Sequence, residues 1–290
     1  MNRERTAAHR SWVSWGMLGL LLVWTVGHLL LTGLRPLSGT YAEVEVAPGV
    51  RYTSFVLNDR GYPGTGRAHI ARIDLTAPGV ELFITPPDAR TDSTAWYRLR
   101  YPWQVAWQHD LDVVVNGALF RPPRLGYWPF AWAQGHHTTV SHSTASHINP
   151  QSYLLWLTND RVPHLTDTRP VPQDVLDRAA WGMGGLVREL RNGTVHPRTQ
   201  RSGTIDNYTM VAACAKTQQL WLAAFQDVAL GTAAQILADQ GATDGLILDG
   251  GGSTAFYMSH AAQGAPGGLH LGGGRPVATH IGVRVRTAEP

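Results

Sequence analysis

The chain has 290 residues, 43% hydrophobic and 16% charged, with a formal net charge of +3 and 13 histidines counted as neutral. This composition excludes a disordered chain, and no concentrated run of Lys or Arg points to nucleic acid as a partner. The single cysteine, Cys214, excludes an internal disulfide or a cysteine zinc cluster, and its apolar run Met210–Ala215 reads as core.

Residues 1–12 carry Arg3, Arg5 and Arg10 against Glu4, and Val13 to Leu34 then run without a formal charge. That length spans a bilayer, and the flanking arginines put the N-terminus on the cytoplasmic side. No small-residue cleavage site follows, so the run is read as an uncleaved anchor and not a removed signal. The reading is a single-pass membrane protein with a tether over 35–43 and one outer domain over 44–290, outside the cytoplasmic membrane.

Alternating or wholly apolar segments predict strands at Glu43–Val46, Val50–Leu57, His69–Leu75 and Val80–Ile84. Pro102 at a first turn opens a helix, and Asp112–Val115 is a short buried strand. The Pro-, Trp- and His-rich stretch 121–150 lacks a period and is expected to be a long surface insertion. Strands resume at Tyr153–Leu157. Asn192-Gly193 predicts a hairpin turn, and Thr209–Ala215 and Leu220–Phe225 follow as strands. Ala229, Ala233, Ile236 and Leu237 share a helical face that Gly241 ends, and Leu246–Leu248 follows as a strand. Strand, helix, strand in this order predicts a right-handed crossover. Val277–Arg286 is the last strand.

The most informative stretch is Asp249-Gly-Gly-Gly-Ser-Thr254, at the tip of an apolar strand. Gly250, Gly251 and Gly252 let a ligand approach the backbone and can turn N–H groups toward an anion, while Ser253 and Thr254 add hydroxyls. A P-loop would need a lysine here, and the dinucleotide fingerprint spaces its glycines differently. A plain glycine-rich turn is the alternative.

This motif resembles the signature of the phosphodiester glycosidase family. Pro48-Gly-Val-Arg-Tyr52, Val115-Asn116-Gly117-Ala-Leu-Phe120, Gly184-Gly-Leu-Val-Arg188 with His196-Pro-Arg-Thr199, and Arg275-Pro276-Val277 resemble its other conserved runs in order. The resemblance implies an α/β (α+β) fold with a mixed β-sheet core and flanking helices, here behind one transmembrane helix. It implies hydrolysis of a sugar from a glycosyl phosphodiester, in envelope or exopolysaccharide metabolism. Asp249 is then base, nucleophile or stabiliser of an oxocarbenium-like transition state, Arg198 and Thr199 grip phosphate, and Asn116 meets a sugar hydroxyl or acetamido group. Asp227 resembles a family acid and is the candidate second carboxylate, with a helix cap as its alternative. His280 is placed among the substrate-binding residues, with a core position as its alternative.

Positions 117–119 and 200–202 depart from the family pattern, which leaves open a non-catalytic glycan-binding or assembly protein on the same fold. His136, His137, His142 and His147 raise a third reading, a metal-dependent hydrolase, but no Asp or Glu lies between 121 and 150, and neither a metal nor another cofactor is expected. Tyr127, Trp128, Phe130 and Trp132 suit sugar stacking or core packing equally.

Overall fold

The computed structural model describes residues 39–88, 96–121, 127, 131–145, 149, 151–166, 168–185, 187–259 and 265–286. All of them fall within the unit Pro36–Pro290. The anchor expected over 13–34, its flank 1–12 and the start of the tether lie outside the described residues. No helix among the described residues is long and apolar enough to cross a membrane.

The long antiparallel pair Ile205–Cys214 and Gln219–Ala229 is the spine of an eight-stranded sheet. On one side it continues through Arg67–Asp74 and Val50–Val56 to Tyr41–Ala47, which takes up the end of the expected tether. On the other side it continues through Asp244–Ile247 to the hairpin Arg188–Arg191 and Thr194–Val195. Asn192 and Gly193 turn that hairpin at φ of 50° and 74°, the left-handed pair that matches strand twist.

A five-stranded sheet runs in the order Gly268–Gly272, Ala255–Met258, Val113–Asn116, His280–Val285 and Val80–Ile84. It packs face to face with the first sheet. Tyr52, Val211, Leu246 and Leu248 from one side meet Val113, Val115, Phe256 and Ile281 from the other in a single buried cluster. Each such large side chain taken out of water stabilises the fold by about 1.5–3 kcal/mol. The opposite face of the first sheet buries Leu190, Met210, Trp221 and Phe225 under the helix Leu230–Asp239, through Ala233, Ile236 and Leu237. Ala229 caps this helix instead of joining its buried face.

The helix connects Gln219–Ala229 to Asp244–Ile247. Both strands are antiparallel to Ile205–Cys214, which lies between them, so they run parallel one strand apart. The predicted crossover therefore spans an intervening strand. The stretch 121–150 departs from expectation. Trp132–Gly135 pairs with Phe120–Arg121, Thr139–Ser141 pairs with Trp181–Gly185, and His137, Thr138 and Val140 are buried. Strands of two to four residues carry too short an alternation to register as a period.

Candidate functional site

Asp249 sits where the chain steps from one sheet to the other. The Leu248 amide still donates to the Thr209 carbonyl of the first sheet at 2.8 Å, and the Asp249 amide donates to Gly117 of the second at 3.0 Å. One turn of 3-10 helix, Gly251–Ser253, then leads into Ala255–Met258.

Asn116 fixes this crossing. Its Nδ2 donates to the Asp249 carbonyl at 2.8 Å, and its Oδ1 accepts from the Thr209 hydroxyl at 2.5 Å and the Ala255 amide at 3.0 Å. With 0% exposure it is a bracket between the sheets and not the sugar-binding residue expected from sequence. Asn116→Leu leaves a buried carbonyl, a buried hydroxyl and a buried amide without partners. It is expected to cost roughly 3–5 kcal/mol, measured as a fall in the urea unfolding midpoint.

The glycines serve the backbone before any ligand. Gly251 adopts φ of 56°, and a Cβ at Gly250 would stand 2.9 Å from the Asn207 carbonyl. The Gly250 amide donates to the carboxylate of Asp249 itself at 3.0 Å, and the Ser253 and Thr254 amides bond back within the turn. Three amides converging on an external anion are therefore not what this turn offers. Within this turn, the amides of Gly251 and Gly252 make no hydrogen bond among the described residues.

The Asp249 carboxyl is 7% exposed. Burial pushes its pKa above the ordinary carboxylate range. A hydrogen bond from Ser253, the charge of Arg275 and the Gly250 amide pull it back. Ser253 is a relay, because its Oγ accepts from Arg275 Nε and Nη2 at 3.0 and 2.6 Å. The Arg275 guanidinium stacks over Tyr127 at 4.3 Å. Arg275 is thus the cation beside Asp249, where the sequence pointed to Arg198. Its signal was the Arg275-Pro276-Val277 run, which does not by itself reveal a partner 26 residues away (275 − 249). Thr254 is buried with its hydroxyl unpartnered among the described residues, so it is closed in and not presented as a donor.

Arg198 and Thr199 belong to the short helix Pro197–Gln200 and line a cavity of about 560 Å³ with Arg169, Arg188, Glu189 and His196. Asp249 does not line that cavity. Tyr153, also in its wall, carries the guanidiniums of Arg169 and Arg188 at 4.6 and 4.7 Å from its ring. Thr199 Oγ1 donates to Glu189 Oε2, and Glu189 is 2% exposed. Tyr208 flanks the glycine turn. Its ring lies 3.7 Å from the position of a Cβ on Gly250, and the charges of Asp206 and Glu189, after burial, raise its hydroxyl pKa.

Three other candidates fall elsewhere. Asp227 is exposed at φ of 52° with its amide on Asn207 Oδ1, in a bulge of the long strand pair, and caps no helix. His280 is fully buried beside Arg100 and His109, and burial lowers its pKa to about 3, so it is a core residue and not a substrate ligand. His137 is buried on Ser152, and His142 lines a different cavity, while His147, Trp128 and Phe130 lie outside the described residues. No three His, Cys, Asp or Glu side chains gather as metal ligands among the described residues. Cys214 is buried, as its apolar run predicted.

Residues 109–284 match the family described as phosphodiester glycosidase. Among solved structures, the chain is similar to the catalytic domain of zebrafish N-acetylglucosamine-1-phosphodiester alpha-N-acetylglucosaminidase, auto-inhibited by its pro-peptide. The TM-score is 0.62 at 17% identity, over 86% of this chain and 87% of that one. It is also similar to a hypothetical protein from Synechocystis, with a TM-score of 0.51 at 15% identity, over 82% of this chain and 62% of that one. At these identities the likeness is one of fold. No curated protein matches the sequence.

Proposed function

The chain belongs to the phosphodiester glycosidase family, and from that membership we propose that it hydrolyses glycosyl phosphodiesters, releasing a sugar and a phosphate monoester. The observation that carries the proposal is the placement of two centres on neighbouring strands of the first sheet. One is a buried carboxyl tied to a cation through Ser253, and the other is an arginine-lined cavity of anion-binding character. Arg198 and Arg188 suit the phosphate, since a guanidinium can hold two of its oxygens at once. Asp249 suits the anomeric centre, as base, nucleophile or stabiliser of developing positive charge.

The reaction is tested by incubating the full-length chain with a panel of sugar-1-phosphate diesters and measuring free sugar. Release from at least one is expected, and none across the panel defeats the reading. We place this activity outside the cytoplasmic membrane, held by residues 13–34, in envelope or exopolysaccharide metabolism. The support is the charge-free run with its arginine flank. Protection of the domain from protease added to intact cells would contradict that placement.

Arg275→Gln separates the chemistry from the scaffold. Arg275 helps hold the Asp249 pKa down against burial, so its loss raises that pKa further. The acid limb of the kcat/KM profile, where Asp249 takes up its proton, is expected to move to higher pH. An unmoved limb would detach Arg275 from Asp249.

The competing reading, a phosphoglycan-binding protein without turnover, draws on the small exposure of Asp249 and its absence from the cavity wall. It predicts saturable phosphoglycan binding with no sugar released.

A further inference from the structure

A cavity of about 450 Å³ lies at the far end of the strands from Asp249. Along His280–Val285 the pairing runs from Asn116, which holds the Asp249 main chain, to Val80 in the cavity wall. That is five residues of strand (285 − 280), or roughly 17 Å. Asp249, Arg275 and Arg198 are not in the lining. We propose that this cavity is a binding site for an anionic pyranose, a hexuronate or a sugar phosphate, separate from the residues assigned to hydrolysis.

The lining carries three guanidiniums, those of Arg161, Arg284 and Arg286, against one carboxylate, that of Glu81. Arg284 belongs to the scaffold. Its Nε and Nη2 donate to Glu81 Oε2 at 2.7 and 2.6 Å, and its Nη1 donates to the His109 carbonyl at 3.2 Å. Arg286 shares the same carboxylate through its Nε, 3.0 Å from Glu81 Oε1. Its Nη1 and Nη2 make no hydrogen bond among the described residues, and neither do Nε and Nη2 of Arg161.

One turn positions both of these arginines. Arg161 Nη1 donates to the carbonyls of Leu75 and Ala77, each at 3.4 Å, and the Arg286 amide donates to the Gly79 carbonyl at 2.9 Å. Arg161 also holds φ of 63°, where Gly or Asn would be easier, so a long cationic side chain is kept there against backbone preference. Two guanidiniums with unspent donors on one cavity repel each other, and an anion between them reverses that cost. A planar fork can hold two oxygens of a carboxylate or phosphate at once.

The rest of the wall suits a sugar better than a bare ion. Leu75, Leu157 and Trp181 form an apolar floor, with Leu157 and Trp181 paired across their strands. Trp181 is 6% exposed, and its Nε1 has no hydrogen-bond partner among the described residues, a buried donor left open beside the cavity. Asn159 and His142 lie in the lining with side-chain polar atoms that make no hydrogen bond among the described residues. An apolar floor with a few polar groups, in a volume between about 300 and 1,000 Å³, is the usual build of a small-molecule site. A pyranose sets its C–H face on such a floor, its hydroxyls toward Asn159 and His142, and its charge toward Arg161 and Arg286.

Calorimetric titration of the full-length chain at fixed salt tests the site, with D-glucuronate, D-glucose 6-phosphate, D-glucose, acetate and inorganic phosphate as probes. Saturable binding of at least one acidic sugar is expected, with glucose, acetate and phosphate at least about tenfold weaker, and the preferred acidic sugar tells a uronate site from a phosphosugar site. Arg161→Gln and Arg286→Gln should each weaken that binding by about tenfold or more, since each removes a charged partner of the anion. Arg198→Gln should leave it unchanged. The urea unfolding midpoint separates binding from folding. Arg284→Gln should lower it, whereas Arg286→Gln, with a side chain 64% exposed, should not. No binding of either acidic sugar, equal binding of acetate or inorganic phosphate, or wild-type affinity in both Arg161→Gln and Arg286→Gln overturns the proposal. Binding lost in Arg198→Gln and kept in Arg286→Gln places the ligand in the other arginine-lined cavity and overturns it equally.

Discussion

Asp249→Asn is expected to lower hydrolysis of a glycosyl phosphodiester by about 10²–10⁴-fold while leaving the urea unfolding midpoint unchanged or raised. The two halves of this expectation have one cause. The carboxyl is buried, and burial disfavours its charged form. A neutral amide of the same shape can still accept from the Gly250 amide and the Ser253 hydroxyl, and it carries no charge to desolvate. Stability is therefore spared, while the group proposed to take up a proton or stabilise positive charge is gone. Sugar release and denaturant unfolding on the same preparation check both halves. Undiminished release would remove Asp249 from the chemistry, and a collapsed midpoint would make it a scaffold residue.

The second large expectation concerns acid. Burial lowers the pKa of His69 and His280 to about 3, and that of His137 and His270 to about 4. In the unfolded chain a histidine titrates near 6.5. Below that pH the unfolded state binds protons that the folded state refuses, so stability falls as pH falls. Each site contributes about 1.4 kcal/mol per pH unit between about 6.5 and its folded value. Asp249 and Glu189 act in the opposite sense, since burial raises their folded pKa values, but they are two groups against four. The urea midpoint is expected to fall steeply between about pH 6.5 and 4.5, and a midpoint flat across that window would contradict the neutral, buried state of these rings. A hydrogen-bond chain accounts for two of them. His270 Nε2 donates to the Pro266 carbonyl, which leaves Nδ1 to accept from the Tyr52 hydroxyl, and that hydroxyl in turn accepts from His69 Nδ1. Protonating His270 at Nδ1 removes the acceptor of the Tyr52 hydroxyl, while a proton on His69 enters at its buried, unpartnered Nε2.

Local signals carried much of the fold. The period of Ala233, Ile236 and Leu237, the Asn192-Gly193 turn and the apolar run Tyr153–Leu157 each lie within a few residues, and each element formed where expected. The pairing of Val113–Asn116 with Ala255–Met258 and His280–Val285 joins segments more than a hundred residues apart, which no local pattern encodes. The site divides in the same way. Asp249 stood out in the sequence because a carboxylate before three glycines is unusual in itself. Arg275 did not, because its role depends on Ser253 and Tyr127 being brought to it by the fold. Asn116 was read as a ligand-binding residue because a polar residue ending an apolar strand signals a site, whereas here it signals a joint between layers.

That joint has a consequence for how this protein can diversify. The interaction that orients the Asp249 main chain also fastens one layer to the other. Drift on the Asp249 side therefore threatens the whole molecule, and such variants are lost before any altered specificity can be selected. Arg198 and Thr199 hang from a four-residue helix outside both layers. Under the proposed function, new substrates are more readily accommodated there, by changing what the cavity wall accepts.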